Sequence, residues 1–146
     1  MPAIPLSHRL AALFVAASCL AVLCIAAWLT PSPSGFGTHE QLRLRSGAGL
    51  QSCTWLAVTG KPCMTCGMTT AFAHAANGDL ISSFGSQPMG TVLAVATSMA
   101  FWISGHVAAY GSNLGSAVAG LMGRRTLWTT LGLLIAAWVY KVLTWQ

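Results

Sequence analysis

"LAALFVAASCLAVLCIAAWL", Leu10 to Leu29, holds no charged residue, no proline and no glycine. At 1.5 Å per residue a helix of about 20 residues spans roughly 30 Å, the thickness of a bilayer's hydrocarbon core. The stretch therefore reads as a membrane span, and two more runs follow it. Met89 to Tyr110 is uncharged, and Thr126 to Gln146 carries only Lys141. Composition agrees: 55% of the chain is hydrophobic and 6% charged, against about 45–50% and about 25% in soluble domains. The class expected is an all-α membrane protein, one integral membrane domain over residues 1–146. It has about three transmembrane helices, with one or two short interfacial or re-entrant helices between the first and second. The expected spans are 10–29, 89–110 and 126–145, separated by a polar loop (30–62) and a cysteine-bearing segment (63–87).

A net charge of +5 invites a nucleic-acid reading, but the seven basic residues are scattered. Arg9, Arg43, Arg45, Arg124, Arg125 and Lys141 flank apolar runs, and no basic stripe with interleaved aromatics is present. The partner expected is the lipid bilayer rather than nucleic acid, with the charges setting topology. Arg9, Arg124 and Arg125 on one side nearly balance Arg43, Arg45 and Lys141 on the other. The Arg124–Arg125 pair tips the N-terminus toward the cytoplasm and the cysteine loop away from it. Ala16-Ala17-Ser18-Cys19 loosely resembles a lipoprotein processing site but lacks the leading leucine, so a retained first helix is expected.

The first span should stop at "TPSPSGFG", Thr30 to Gly37, where prolines and glycines break the helix. From Gly67 to Ala76 small and apolar residues read as a short helix. Asn77-Gly78 can stop it, with glycine taking a left-handed conformation. Asp79 can cap a second short helix, and Pro88 suits the first turn of the next span. No charge lies between Lys61 and Asp79. An apolar helix too short to span belongs in the interface, against the spans, or in a re-entrant fold. Gly111, Gly115, Ala119 and Gly123 form a small-residue stripe of the kind that lets helices approach, or simply a glycine-rich connection. Trp128 and Trp145 sit near the two ends of the last span, where Lys141 can snorkel to the interface.

Cys53, Cys63 and Cys66 form a C-x9-C-x2-C pattern. The C-x2-C bite lets two sulfurs reach one tetrahedral ion, and a complete site needs further ligands. His39 is free enough to join, whereas His74 lies roughly 12 Å along the helix beyond Cys66. Met64 and Met68 add soft sulfur, which suits Cu(I) better than Zn. The same cysteines can form a dithiol, since a helix start and Lys61 favour a thiolate. Membrane thiol oxidases place such pairs at span ends, near the quinone pool. The bland alternative is packing, because buried cysteine is a common small hydrophobe. His106 interrupts the second span beside Trp102 and Met99, and an ionisable residue there suggests function or an interface contact. Glu40 and Asp79 are the only acids, so paired-carboxylate catalysis lacks material.

"TGKPCMTCGMTTAFAHAANGD" (59–79) followed by "SQPMG" (86–90) resembles the small bacterial membrane proteins catalogued as domain of unknown function 2752. Their hallmark is T-G-x-P-C-P-x-C-G-x-T-R-A, then G-D, then N-P-x-G, and the likeness covers roughly residues 36 to 110. It implies a multi-pass bacterial membrane protein and no particular activity. Met64, Thr70 and Gln87 depart from the pattern's proline, arginine and asparagine. Loss of the arginine weakens an anion-binding reading and leaves thiol readings intact.

The expected function is therefore non-enzymatic: a loop stapled through Cys53, Cys63 and Cys66, with His39 as a further metal ligand. The staple is Zn or Cu(I), or a disulfide with no cofactor. Gly67, Gly78, Asp79 and Pro88 have structural roles, and the protein serves interaction or assembly with a membrane-protein partner or a second copy. The alternatives are a thiol-disulfide redox or soft-metal-handling protein using the C-x2-C pair, and a small carrier or channel component lined by His106, Trp102 and Asn113.

Overall fold

A computed structural model describes residues 5–42, 54–112 and 123–144. Its elements are α1 (Leu6–Trp28), a 3₁₀ turn (Thr38–Gln41), α2 (Thr54–Thr59), α3 (Met68–Ala76), α4 (Leu80–Ser86), α5 (Pro88–Tyr110) and α6 (Arg124–Thr144). Among the described residues there is no strand. Three helices are long and apolar enough to cross a membrane: Leu6–Trp28, Pro88–Tyr110 and Arg124–Leu143. The chain is an all-α, multi-pass membrane protein with shorter helices between its first and second spans. Arg43, Arg45, Cys53, Asn113, Gly115, Ala119 and Trp145 lie outside the described residues.

The spans α1 and α5 pack against each other and run antiparallel. The two buried residues of α1, Ala16 and Ala26, are small, so backbones can approach closely without clashes. The outward faces carry large apolar side chains such as Phe14, Trp102 and Leu143, as lipid-facing surfaces require. At the α5 C-terminus, Gly111 takes a left-handed conformation (φ 63°) and ends the helix. Arg9 fills the carbonyls left over there. Its Nε and Nη2 donate to Ala108 O at 3.0 and 2.9 Å, and Nη2 donates to Ala109 O at 2.9 Å. A cation at a helix C-terminus also meets the negative end of the helix dipole.

At the other end of this pair the short helices gather. Asp79 caps α4 by accepting from the Ser82 amide at 2.9 Å, and Pro88 opens α5 with φ already set for a helix. The helix α3 packs against α1, α4, α5 and the 3₁₀ turn. Its Thr70, Ala71 and Ala73 are fully buried. A Cβ on Gly90 would stand 2.8 Å from the Ala71 Cβ, so α3 sits on α5 where only glycine leaves room. Polar side chains in this contact are paired, as burial demands. Ser83 Oγ donates to Ala71 O at 2.7 Å and lies 2.8 Å from Thr91 Oγ1. Thr70 Oγ1 lies 2.8 Å from Thr38 Oγ1, and Thr38 Oγ1 accepts from the Ser32 amide at 3.0 Å. The inner face of this short helix is thus buried against the spans.

The third span is held differently. Within α6 Lys141 is the one buried residue among those described, at 9% exposure. Trp138 Nε1 donates to Pro62 O at 3.1 Å, and Lys141 Nζ donates to Ser86 O. A tryptophan and a lysine tie α6 to the loop end of the molecule.

Candidate thiol site

The C-x2-C stretch is a single turn, closed by a bond from the Cys66 amide to Cys63 O at 3.1 Å. The Met68 amide then donates to Thr65 O at 3.0 Å, leading into α3. Three distant residues fix this turn. Trp138 of α6 holds the Pro62 carbonyl, and Gln87, between α4 and α5, donates from Nε2 to Met64 O at 2.9 Å. Gln87 is fully buried and its Oε1 has no partner among the described residues.

The third is Lys141. Gly67 has φ 85°, and a Cβ built on it would stand 2.5 Å from Lys141 Nζ, 2.6 Å from Gly35 O and 3.0 Å from Ser86 O. The Lys141 amine is therefore packed against Gly67, the residue next to Cys66. Both the handedness of Gly67 and the absence of a side chain are needed to admit it. A neighbouring cation favours thiolate over thiol. Cys66 is buried and Cys63 half-buried. Cys63 Sγ lies 3.4 Å from Thr65 Oγ1.

Gly67 is the N-cap of α3, so Cys66 stands one position outside the helix rather than in its first turn. The dipole contribution falls off within that turn, and the nearby positive group is Lys141 instead. Lys61 is exposed at the surface. Lys141 is thus the residue that sequence reasoning missed: it turns inward rather than snorkelling outward. The signal was available, because it is the only charge in the last apolar run, and an ionisable residue in a span is a functional hypothesis by default.

Beside the turn lies a cavity of about 760 Å³. Val22, Ile25, Ala26 and Leu29 from the end of α1 form one wall, Leu56 and Ala57 of α2 another, and Met68 and Phe72 of α3 a third. Cys63, Cys66 and Gly67 line it, with His39 and Glu40 of the 3₁₀ turn. The structure thus brings His39, Cys63 and Cys66 around one space. Among the described residues no group of three His, Cys, Asp or Glu side chains is arranged to hold a metal ion, and Cys53 lies outside them.

The remaining candidates are elsewhere. His74 faces Asp79 at 3.7 Å, and hydrogen bonds from Ser82 hold the Asp79 carboxyl below the usual carboxylate range. Gly78, with φ 84°, turns the chain between α3 and α4. His106 is exposed and its ring lies 4.7 Å from that of Tyr110 in a tilted arrangement, near the opposite end of α5, and Trp102 is exposed as well. Thr70, where the family pattern has arginine, spends its hydroxyl on Thr38.

The family model described as "Protein of unknown function (DUF2752)" matches residues 53–102, the family that the cysteine motif resembles. No curated protein and no solved structure matches the chain. The matched segment runs from Cys53 into α5. It includes the C-x2-C turn and Gln87, whereas Lys141 and Trp138 come from outside it.

Proposed function

We propose that this membrane protein works through Cys63 and Cys66 as a dithiol–disulfide couple. The observation that supports this most is the buried Lys141 side chain, whose Nζ sits against the C-x2-C turn. A cation is costly to bury, and here it does what thiol exchange needs, which is to stabilise a thiolate leaving group. The disulfide form would accept attack by a substrate thiolate at the more accessible Cys63 sulfur. The Cys63–Cys66 bond breaks, and its electron pair leaves on Cys66, the buried cysteine whose neighbour Gly67 packs against Lys141 Nζ. A second substrate thiolate then attacks the mixed disulfide and releases Cys63. The substrate is oxidised to a disulfide and the pair is reduced to a dithiol, with two electrons transferred. The natural substrates are proteins or small molecules carrying two thiols.

The test is a thiol count on detergent-purified protein equilibrated across a dithiothreitol redox series, read by alkylation and mass. Two thiols should titrate together, and both should remain titratable in Cys53→Ser. Thiols that never pair under oxidising conditions would sink the proposal. A second reading keeps the pair as part of a staple with Cys53, by metal or disulfide. It is favoured by the position of α2, which starts at Thr54 and puts Leu56 and Ala57 on the same cavity as both cysteines. Stoichiometric zinc or copper by elemental analysis, with thiols shielded until it is removed, supports the staple instead. Loss of all reversible pairing in Cys53→Ser does the same.

A further inference from the structure

We infer that the cavity beside the C-x2-C turn takes the headgroup and proximal tail of a lipid-soluble quinone, which reoxidises the Cys63–Cys66 dithiol. This rests on the dithiol–disulfide reading and supplies its electron acceptor. Four features of the space select that class of ligand. At about 760 Å³ it falls in the range of about 300–1,000 Å³ found for cofactor and small-molecule sites. Its walls are mainly apolar, with Ile25, Leu29, Met68 and Phe72 prominent. One wall is the last turns of the first span, so the space adjoins the bilayer, and Val22 and Ile25 are themselves half exposed on that span. Finally, both cysteines line it, as do the polar residues His39, Glu40 and Thr65.

A ligand that enters from lipid, fills an apolar space and meets two thiols at its polar end must be largely hydrocarbon with a two-electron acceptor at its head. A quinone meets both requirements. An acyl chain meets only the first, and a soluble disulfide only the second. The reaction balances without a further reagent. Two S–H bonds break and one S–S bond forms. The two electrons and two protons released convert the two quinone carbonyls to hydroxyls. Lys141 is a positioning residue here: it stabilises the thiolate that forms as Cys66 gives up its proton to the quinone.

The experiment uses the full chain in detergent, reduced and freed of reductant, with decylubiquinone as the probe. Its ring is fully substituted, so thiolate addition to the ring is disfavoured. Quinol formation is followed by absorbance, and thiol loss by alkylation. The expected result is one quinol per pair of thiols lost, at a rate that saturates with quinone. A redox-inert alkyl hydroxyquinoline should inhibit it competitively. Ala57→Trp, which fills the cavity from the short helix α2, should slow the reaction at least tenfold while the protein elutes unchanged on gel filtration. A rate that is linear in quinone, insensitive to the competitor and equal in Ala57→Trp overturns the inference. If that happens while the pair still titrates against dithiothreitol, the dithiol–disulfide reading survives. If the pair does not titrate at all, both fall.

Discussion

The two ends of the α1–α5 hairpin each hold a cation against backbone carbonyls, and they do so to different ends. At one, Arg9 meets Ala108 O and Ala109 O, the carbonyls that any helix leaves unpaired at its C-terminus. The group is only part-buried, and the carbonyls and helix dipole account for it fully. At the other, Lys141 is buried in a helix that has no other buried residue among those described. It donates to Ser86 O and packs against Gly67, the residue next to Cys66. Arg9 closes a structural gap. Lys141 adds a charge where two nucleophiles stand beside an apolar cavity, and the contrast between them is what singles out one end as the site.

The sharpest way to break the contrast is to remove a sulfur. Cys66→Ser should abolish reversible pairing of Cys63 altogether, measured as alkylatable thiols across a redox series, while Arg9→Gln leaves that titration unchanged. Next is the cation. With Lys141 in place, the iodoacetamide reactivity of the pair should rise with pH around one midpoint. In Lys141→Met that midpoint should move upward, with at least a tenfold loss of rate at neutral pH. Lys141→Arg should restore most of the charge effect, which a purely structural lysine would not predict. An unchanged pH profile in Lys141→Met would place Lys141 in the same class as Arg9.

How much of this could be read from the residues depends on how local each decision is. An uncharged run such as Leu10–Leu29 has few stable alternatives to a span, so the fold class was legible from the residues alone. The inward turn of Lys141 was not. A lysine one turn from a helix end can reach water or fold back, and the choice depends on Ser86, 55 positions away. Gln87 and Thr70 read as departures from a family pattern. Only the packed structure gives them partners, Met64 O for one and Thr38 Oγ1 for the other. Of the residues expected as metal ligands, Cys63, Cys66 and His39 line one cavity without forming a metal-holding group among the described residues, and Cys53 lies outside them.

A smaller effect tests whether the thiol end depends on its close contacts. Gly67→Ala must place a methyl group 2.5 Å from Lys141 Nζ and 2.6 Å from Gly35 O, on a backbone with φ 85°. The left-handed strain and the overlap together should cost about 3 kcal/mol. This should be visible as a lower melting temperature in detergent. The ammonium should also be displaced, so the alkylation midpoint should rise along with the loss of stability. At the opposite end, Arg9→Gln removes a cation from a helix C-terminus and should cost only about 1 kcal/mol, with thiol reactivity unaltered. If Gly67→Ala lowers stability and leaves the midpoint in place, the ammonium does not act through its contact with this turn.

The smallest effect comes from Asp79, which caps α4, the helix whose last residue gives Lys141 its carbonyl. Hydrogen bonds from Ser82 lower the folded-state pKa of this carboxyl. A carboxyl with a depressed folded pKa contributes stability that is present above its unfolded value, about 3.9. That contribution is lost as the pH falls through the folded value. Asp79→Asn should therefore narrow the difference in stability between neutral and strongly acidic solution, because asparagine caps without titrating. At neutral pH the variant should keep the alkylation midpoint of the pair, since the start of α4 is exposed and Ser86 lies at its far end. A shift in that midpoint on Asp79→Asn would mean that the Ser86 carbonyl moves with the cap. The Lys141 ammonium would then be held by the whole of α4 rather than by the junction of α4 with α5.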